Sequence, residues 1–197
     1  MRTLLLIAIL ALTAGCTEFG KVEQGRAVGF DKKANNVTLI RDVSADAGNA
    51  SYSGIPPLTM TLPTVEAEMG PEPRIGYLLT SDYYEGKFSI YDPATKTIKT
   101  LILPKVSLQE GVGKDHPLLI DPATGKARSF PVIDKARGTV TIYNSGRKLL
   151  GTYTLTPEAI DMPELAYKQG DVMRAYYKKE GVASRMMNVT QTDIFKK

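Results

Sequence analysis

The sequence predicts an all-β protein: small antiparallel sheets built from hairpins, closed into an OB-like β-barrel, with very little helix. Three observations predict it. Apolar residues recur with period two along most of the chain, the mark of strands that bury one face. A turn motif built on aspartate recurs at short intervals between them. The one helix-like segment, Pro157 to Lys168, is interrupted by Pro163, which removes a backbone donor and crowds the preceding turn.

The predicted strands are Val37 to Ile40, Lys87 to Tyr91, Ile98 to Leu103, Val140 to Tyr143, Leu149 to Thr156, Val172 to Tyr177 and Val182 to Thr190. They are rich in Thr, Val, Ile and Tyr, which suit a pleated, half-buried surface. Between strands one pattern returns: an apolar residue, Asp, a short polar turn, a new strand. It appears at Phe30-Asp31, Tyr91-Asp92-Pro93, Ile120-Asp121-Pro122 and Ile133-Asp134. The carboxylate can accept backbone N–H bonds from the turn, and proline presets φ at its first corner. Read instead as calcium loops, these motifs are poor in ligands, because each offers a single carboxylate.

The ten residues from Phe30 align without gaps on those from Ile133. That alignment allows either one β-rich domain, 23–197, or two related lobes, 23–104 and 117–197, parted in Pro104 to Pro117. Asp42 to Pro57, rich in Ala, Ser, Gly and Asn and closed by Pro56-Pro57, reads as a surface loop. Met69-Gly70-Pro71-Glu72-Pro73 reads as a second break. Thr156 and Pro157 form an N-cap and first-turn pair, so one or two short helical turns are expected there, closing a barrel end.

Residues 1–15 have the layout of a secretory signal: Arg2, an uncharged run from Leu4 to Thr13, then Ala14-Gly15. The run falls short of the roughly 20 apolar residues that span a bilayer. The single cysteine follows at once. Leu12-Thr13-Ala14-Gly15-Cys16 resembles the lipobox of bacterial lipoproteins, with Thr13 departing from the leucine usual at that place. The resemblance implies cleavage between Gly15 and Cys16, a diacylglyceryl thioether on Cys16 and acylation of the new amine. Residues 16–22 then form a tether, and the lipid bilayer becomes a partner, each buried CH₂ contributing about 0.8 kcal/mol. The plainer reading of Cys16 is a small residue near a generic cleavage site. Thr17 stands where aspartate would signal inner-membrane retention, so the resemblance implies the periplasmic face of the outer membrane. A lone cysteine excludes intramolecular disulfides, and such a domain must be stabilised by its core.

The chain has 197 residues, a formal charge of +4, 43% hydrophobic and 23% charged residues, a globular composition. Its lysines and arginines are scattered rather than gathered in a stripe, which argues against nucleic acid. A weak attraction to anionic lipid or acidic polymer stays open. His116 is the only histidine, so any Ser-His-Asp device would have to run through it. Structural zinc draws on several His and Cys ligands, and haem attachment needs C-x-x-C-H. No cofactor and no metal are expected.

Glu66, Glu68, Glu72, Asp82 and Glu85 share one loop-rich stretch and supply an enzymatic alternative, hydrolysis of an envelope glycan by a carboxylate pair. No tryptophan is present to stack a sugar; Tyr83-Tyr84 could stack or could pack. Met186 and Met187 are adjacent and point to opposite faces of a strand, which suits a core or interface better than one copper ion.

One face of the last strand carries Ala183, Arg185, Met187 and Val189. If that face is the core, Arg185 needs a reason to be there, because an unpaired buried charge is costly. A carboxylate meets it inside, or a bulge turns it outward, or it marks a binding position. The stretch from Gly170 through Arg185-Met186-Met187-Asn188-Val189-Thr190 to Asp193, with Gln24-Gly25-Arg26-Ala27-Val28-Gly29-Phe30-Asp31, resembles a family of small envelope lipoproteins from sulfate-reducing bacteria. That resemblance implies an envelope location and carries no activity or catalytic residue. The leading expectation is a membrane-anchored, non-enzymatic binding or scaffolding module with an envelope protein partner. A carrier with an apolar barrel interior is a third reading. Intact mass of the purified protein checks the first step: it should correspond to a chain beginning at acylated Cys16, and the mass of the unprocessed chain would reject it.

Overall fold

Alternation of apolar and polar residues produces twelve strands among the described residues of the computed structural model, which are 19–44, 46 and 49–192. Gly15 and Cys16 lie outside them. The strands are β1 (Lys21–Asp31), β2 (Asn36–Asp42), β3 (Tyr52–Thr61), β4 (Leu78–Asp82), β5 (Lys87–Asp92) and β6 (Thr97–Ile102). They continue with β7 (Lys105–Gln109), β8 (Val132–Asp134), β9 (Thr139–Asn144), β10 (Leu149–Thr154), β11 (Val172–Tyr177) and β12 (Arg185–Asn188). All pair antiparallel within three sheets. Sheet A runs β12-β11-β1-β2-β3, sheet B β4-β5-β6, and sheet C β7-β10-β9-β8.

Hairpin-built antiparallel sheets with little helix are what the sequence predicts, but no sheet closes into a barrel. The reason lies in sheet B, which buries both faces. Leu78, Phe88, Ile90 and Leu101 pack against Val140, Ile142, Leu149 and Tyr153 of sheet C. On its other side Leu79 and Tyr91 pack against Val28, Ile40 and Tyr52 of sheet A. A sheet with a neighbour on each face is a middle layer and cannot curl around an interior of its own. The Pro157–Lys168 segment therefore plugs no barrel. It contributes a 3-10 turn, Glu164–Tyr167, whose Ala166 and Tyr167 join Ala159 in the core between sheets B and C.

Nor do the sheets follow two consecutive halves. β1 pairs with β11 from Lys21 opposite Tyr177 to Arg26 opposite Val172. The Pro104 to Pro117 segment, read as a break, contains β7, which pairs with β10. The Asp42 to Pro57 segment also gives up its end to a strand. β3 begins at Tyr52 and carries Pro56-Pro57, which is tolerated because β3 is an edge strand where a missing donor goes unnoticed.

The aspartate turns behave as their chemistry requires. Asp31 accepts from the backbone N–H of Lys33 and Ala34 at 2.9 and 3.0 Å, and Asp121 from Ala123 and Thr124 at 2.8 and 3.2 Å. Asp92 accepts from Ala94, and Asp134 from Arg137. Asp82 and Asn144 do the same in two further turns. In all six, the residue four places on has positive φ: Asn35, Gly86, Lys96, Gly125, Gly138 and Lys148. Two of these positions hold lysine, which gives up about 1–2 kcal/mol in that region. Replacing Lys96 (φ 55°) by glycine should raise stability by about 0.5 kcal/mol after glycine's extra chain entropy is subtracted, measured by urea unfolding.

Candidate functional site

Gly170 and Asp171 lead into β11 at a place where three stretches of backbone meet. A Cβ on Gly170 would overlap the Ala27 carbonyl oxygen, so only glycine fits. The Ala27 N–H donates to the Asp171 carbonyl at 2.9 Å, the Asp171 N–H to the Arg74 carbonyl at 2.8 Å, and the Leu78 N–H to the Lys168 carbonyl at 2.9 Å.

The buried Asp171 carboxylate, 2% exposed, is the knot of this junction. It accepts from the Arg74 backbone N–H at 2.9 Å and Arg74 Nη2 at 3.0 Å, from Asn188 Nδ2 at 2.9 Å and from Gln191 Nε2 at 2.6 Å. Burial by itself would raise its pKa. The hydrogen bonds from Arg74, Asn188 and Gln191 outweigh that and hold it below the ordinary carboxylate range.

Beside the knot opens a cleft of about 740 Å³. Arg26, Arg74 and Lys168 supply its cations, and Phe130 and Tyr143 its apolar surface. The cations are not equivalent. Arg74 is bound to Asp171, and Lys168 pairs with Glu164 at 2.6 Å. Arg26, half-buried in the middle of β1, has no carboxylate at ion-pair distance among the described residues. Its Nη1 donates to the Gly170 carbonyl at 2.8 Å, and its guanidinium carbon lies 4.4 Å from the centre of the Tyr52 ring. Its Nε is buried without a partner. Burial pushes its pKa down, and the nearby Tyr52 and Asp171 push back.

A family model described as a domain of unknown function, DUF4881, matches residues 18–197. The chain belongs to the DUF4881 family. No curated protein and no solved structure matches it. The DUF4881 match takes in every residue of the cleft.

Apart from Tyr83, which lies at the cleft, the residues singled out from the DUF4881 sequence lie elsewhere. Arg185 is 63% exposed and pairs with Glu68, its Nη2 donating to Oε1 at 3.1 Å, at the edge of a shallow concavity shared with Tyr176 and Ser184. Arg185 turns outward, but by a bend at Ser184 and not by a bulge, since β12 pairs with β11 in regular register. Ser184 and Arg185 are exposed in succession, so the buried face shifts from Ala183 to Met186 and Asn188. A carboxylate does meet Arg185, but at the surface. Met186 is buried and Met187 is 45% exposed, on opposite faces.

The carboxylates of the 66–85 stretch are dispersed: Glu68 on Arg185, Glu72 on Lys32, Asp82 capping its turn. Tyr83 is buried edge-to-face against Phe88 and Tyr153, and burial pushes its pKa up to about 12. Tyr84 is exposed and bonded to Glu110. His116 Nδ1 accepts from the Leu118 N–H and caps a 3-10 turn, Pro117–Leu119. Among the described residues no three His, Cys, Asp and Glu side chains are grouped to hold a metal ion.

Sequence reasoning missed Arg26, Arg74 and Asp171. A signal for Arg26 existed: it is a charge set among the small and apolar residues Gly25, Ala27 and Val28 of a β-forming run. Asp171→Ala should cost about 2 kcal/mol in urea unfolding, mostly through the buried Asn188 amide left unmet, since Arg74 and Gln191 can turn to water. Because the folded-state pKa is depressed, Asp171 stabilises fully above about pH 4 and loses that contribution as pH falls. The acid limb of a Tm–pH curve should accordingly be shallower in Asp171→Ala than in the parent protein.

Proposed function

We propose that this DUF4881 protein is a lipid-anchored binding module of the bacterial envelope, tethered through acylated Cys16 and holding an envelope component without chemically transforming it. The lipobox-like sequence at Leu12 to Cys16 supports the anchor. Strand β1 begins at Lys21, so few residues separate it from Cys16. At about 3.3–3.6 Å per extended residue, such a tether keeps the start of β1 near the bilayer surface.

The observation that carries the binding reading is the cleft with Arg26 in its wall. A half-buried guanidinium with no carboxylate at ion-pair distance among the described residues is only partly compensated, and a cavity of about 740 Å³ beside it has room for an anion. Among the described residues the one carboxylate lining the same cleft, Asp171, is saturated by donors and has no free role as acid or base. Asp171 therefore favours holding over turnover.

Two measurements check the reading. In Cys16→Ser the leader should stay on the chain; membrane fractionation together with normal leader removal would overturn the anchor. Native mass spectrometry of protein taken gently from its own membranes should show a retained species that is lost in the cleft-filling Ser129→Trp, a change at an exposed residue of the cleft wall. Protein that is bare from several detergents would overturn the binding reading.

A further inference from the structure

We propose that the cleft takes a small organic carboxylate with an apolar body, its carboxylate set against Arg26 and its body against Phe130 and Tyr143. The inference rests on the binding reading above and names the ligand's chemistry. Three observations carry it.

The first is charge. Of the three cations in the cleft, Arg74 and Lys168 have carboxylate partners and Arg26 has none among the described residues. Arg26 is held instead by neutral groups, the Gly170 carbonyl and the face of Tyr52. These fix the guanidinium in place and leave its charge for another anion. A rigid, planar guanidinium is the group that best recognises a planar carboxylate.

The second is the neighbouring Asp171. Its charge acts on Arg26 through space while its oxygens are occupied by Arg74, Asn188 and Gln191. A dianion such as phosphate would sit close to that fixed negative charge and be repelled by it. A monoanion meets Arg26 with less opposition.

The third is the rest of the lining. Phe130 and Tyr143, each partly exposed, are in ring contact with each other in the same cleft, their centroids 5.7 Å apart. Such a surface rewards an apolar body on the ligand at roughly 25 cal/mol per Å² covered.

The test uses the full mature chain at constant ionic strength, titrated with benzoate, acetate and inorganic phosphate, with Tm and backbone amide NMR shifts as readouts. Benzoate should raise Tm saturably and shift the Gly170 and Val172 amides, with a half-saturating concentration roughly tenfold below that of acetate. Phosphate should do no more than added chloride. Arg26→Leu should abolish the benzoate response, and the surface variant Arg185→Leu should keep it. If Arg26→Leu does not fold, Arg26→Lys decides the matter by a response weakened roughly tenfold. A silent benzoate titration, an undiminished response in the Arg26 variants, or phosphate acting as strongly as benzoate would overturn the assignment. Should the species retained from native membranes persist in any of those cases, the binding reading survives and only its ligand chemistry falls.

Discussion

The arrangement of the molecule around its cleft depends on one carboxylate. Asp171 receives hydrogen bonds from Arg74, on the segment between β3 and β4, and from Asn188 and Gln191, at and just beyond the end of β12. Its own backbone is bonded to Ala27 and to Arg74. Three stretches remote in sequence are thereby clamped at one point, and the polar part of the cleft lining, Arg26, Arg74 and Thr190, projects from them. A buried carboxylate is costly unless donors surround it. Here they do, and the same donors that offset its desolvation fix the backbone of the site.

Much of the architecture was legible because it is local. Alternation located most of β2, β5, β6 and β9 to β11, and the aspartate motif located three hairpin turns and a fourth turn closed by a single bridge between Ile120 and Ala127. Those signals need only a few neighbouring residues. Asp82 and Asn144 make the same turn without the flanking pattern that marked the others, Asn144 having an amide in place of the carboxylate. β3 was hidden by Pro56-Pro57, since proline argues against a strand until its place at a sheet edge is known. The absence of barrel closure was not legible at all. Whether a hairpin's outer face meets solvent or a second sheet depends on partners far along the chain, and Leu79 and Tyr91 of sheet B find theirs in sheet A.

The site shows the same division. An arginine on a strand was recognised as needing an explanation, but attention fell on Arg185, which a phase shift at Ser184 turns to the surface. Arg26 has the buried position that Arg185 was suspected of having. The difference is tertiary: Arg26 is enclosed by Tyr52 and Gly170, and the Gly170 carbonyl it touches is 144 residues away. Arg74 and Asp171 are 97 residues apart, one in a proline-rich stretch and one before a strand, with nothing in either neighbourhood to announce the other. The polar knot is a product of topology.

The place of β1 in sheet A has a consequence for how the chain is made. Its neighbours are β2, which follows directly, and β11, which is produced only after most of the polypeptide. A nascent chain emerging from its amino end can form the β1–β2 hairpin early, yet the other edge of β1 stays open until Tyr177 has been synthesised. Ala27, which ends at 0% exposure, must wait with it. Non-local pairing of this kind is slow, and an unpaired edge in the interim is an invitation to wrong partners. The last quarter of the chain thus acts as the latch on the first, and a truncated or stalled product would expose a strand edge that the finished molecule covers.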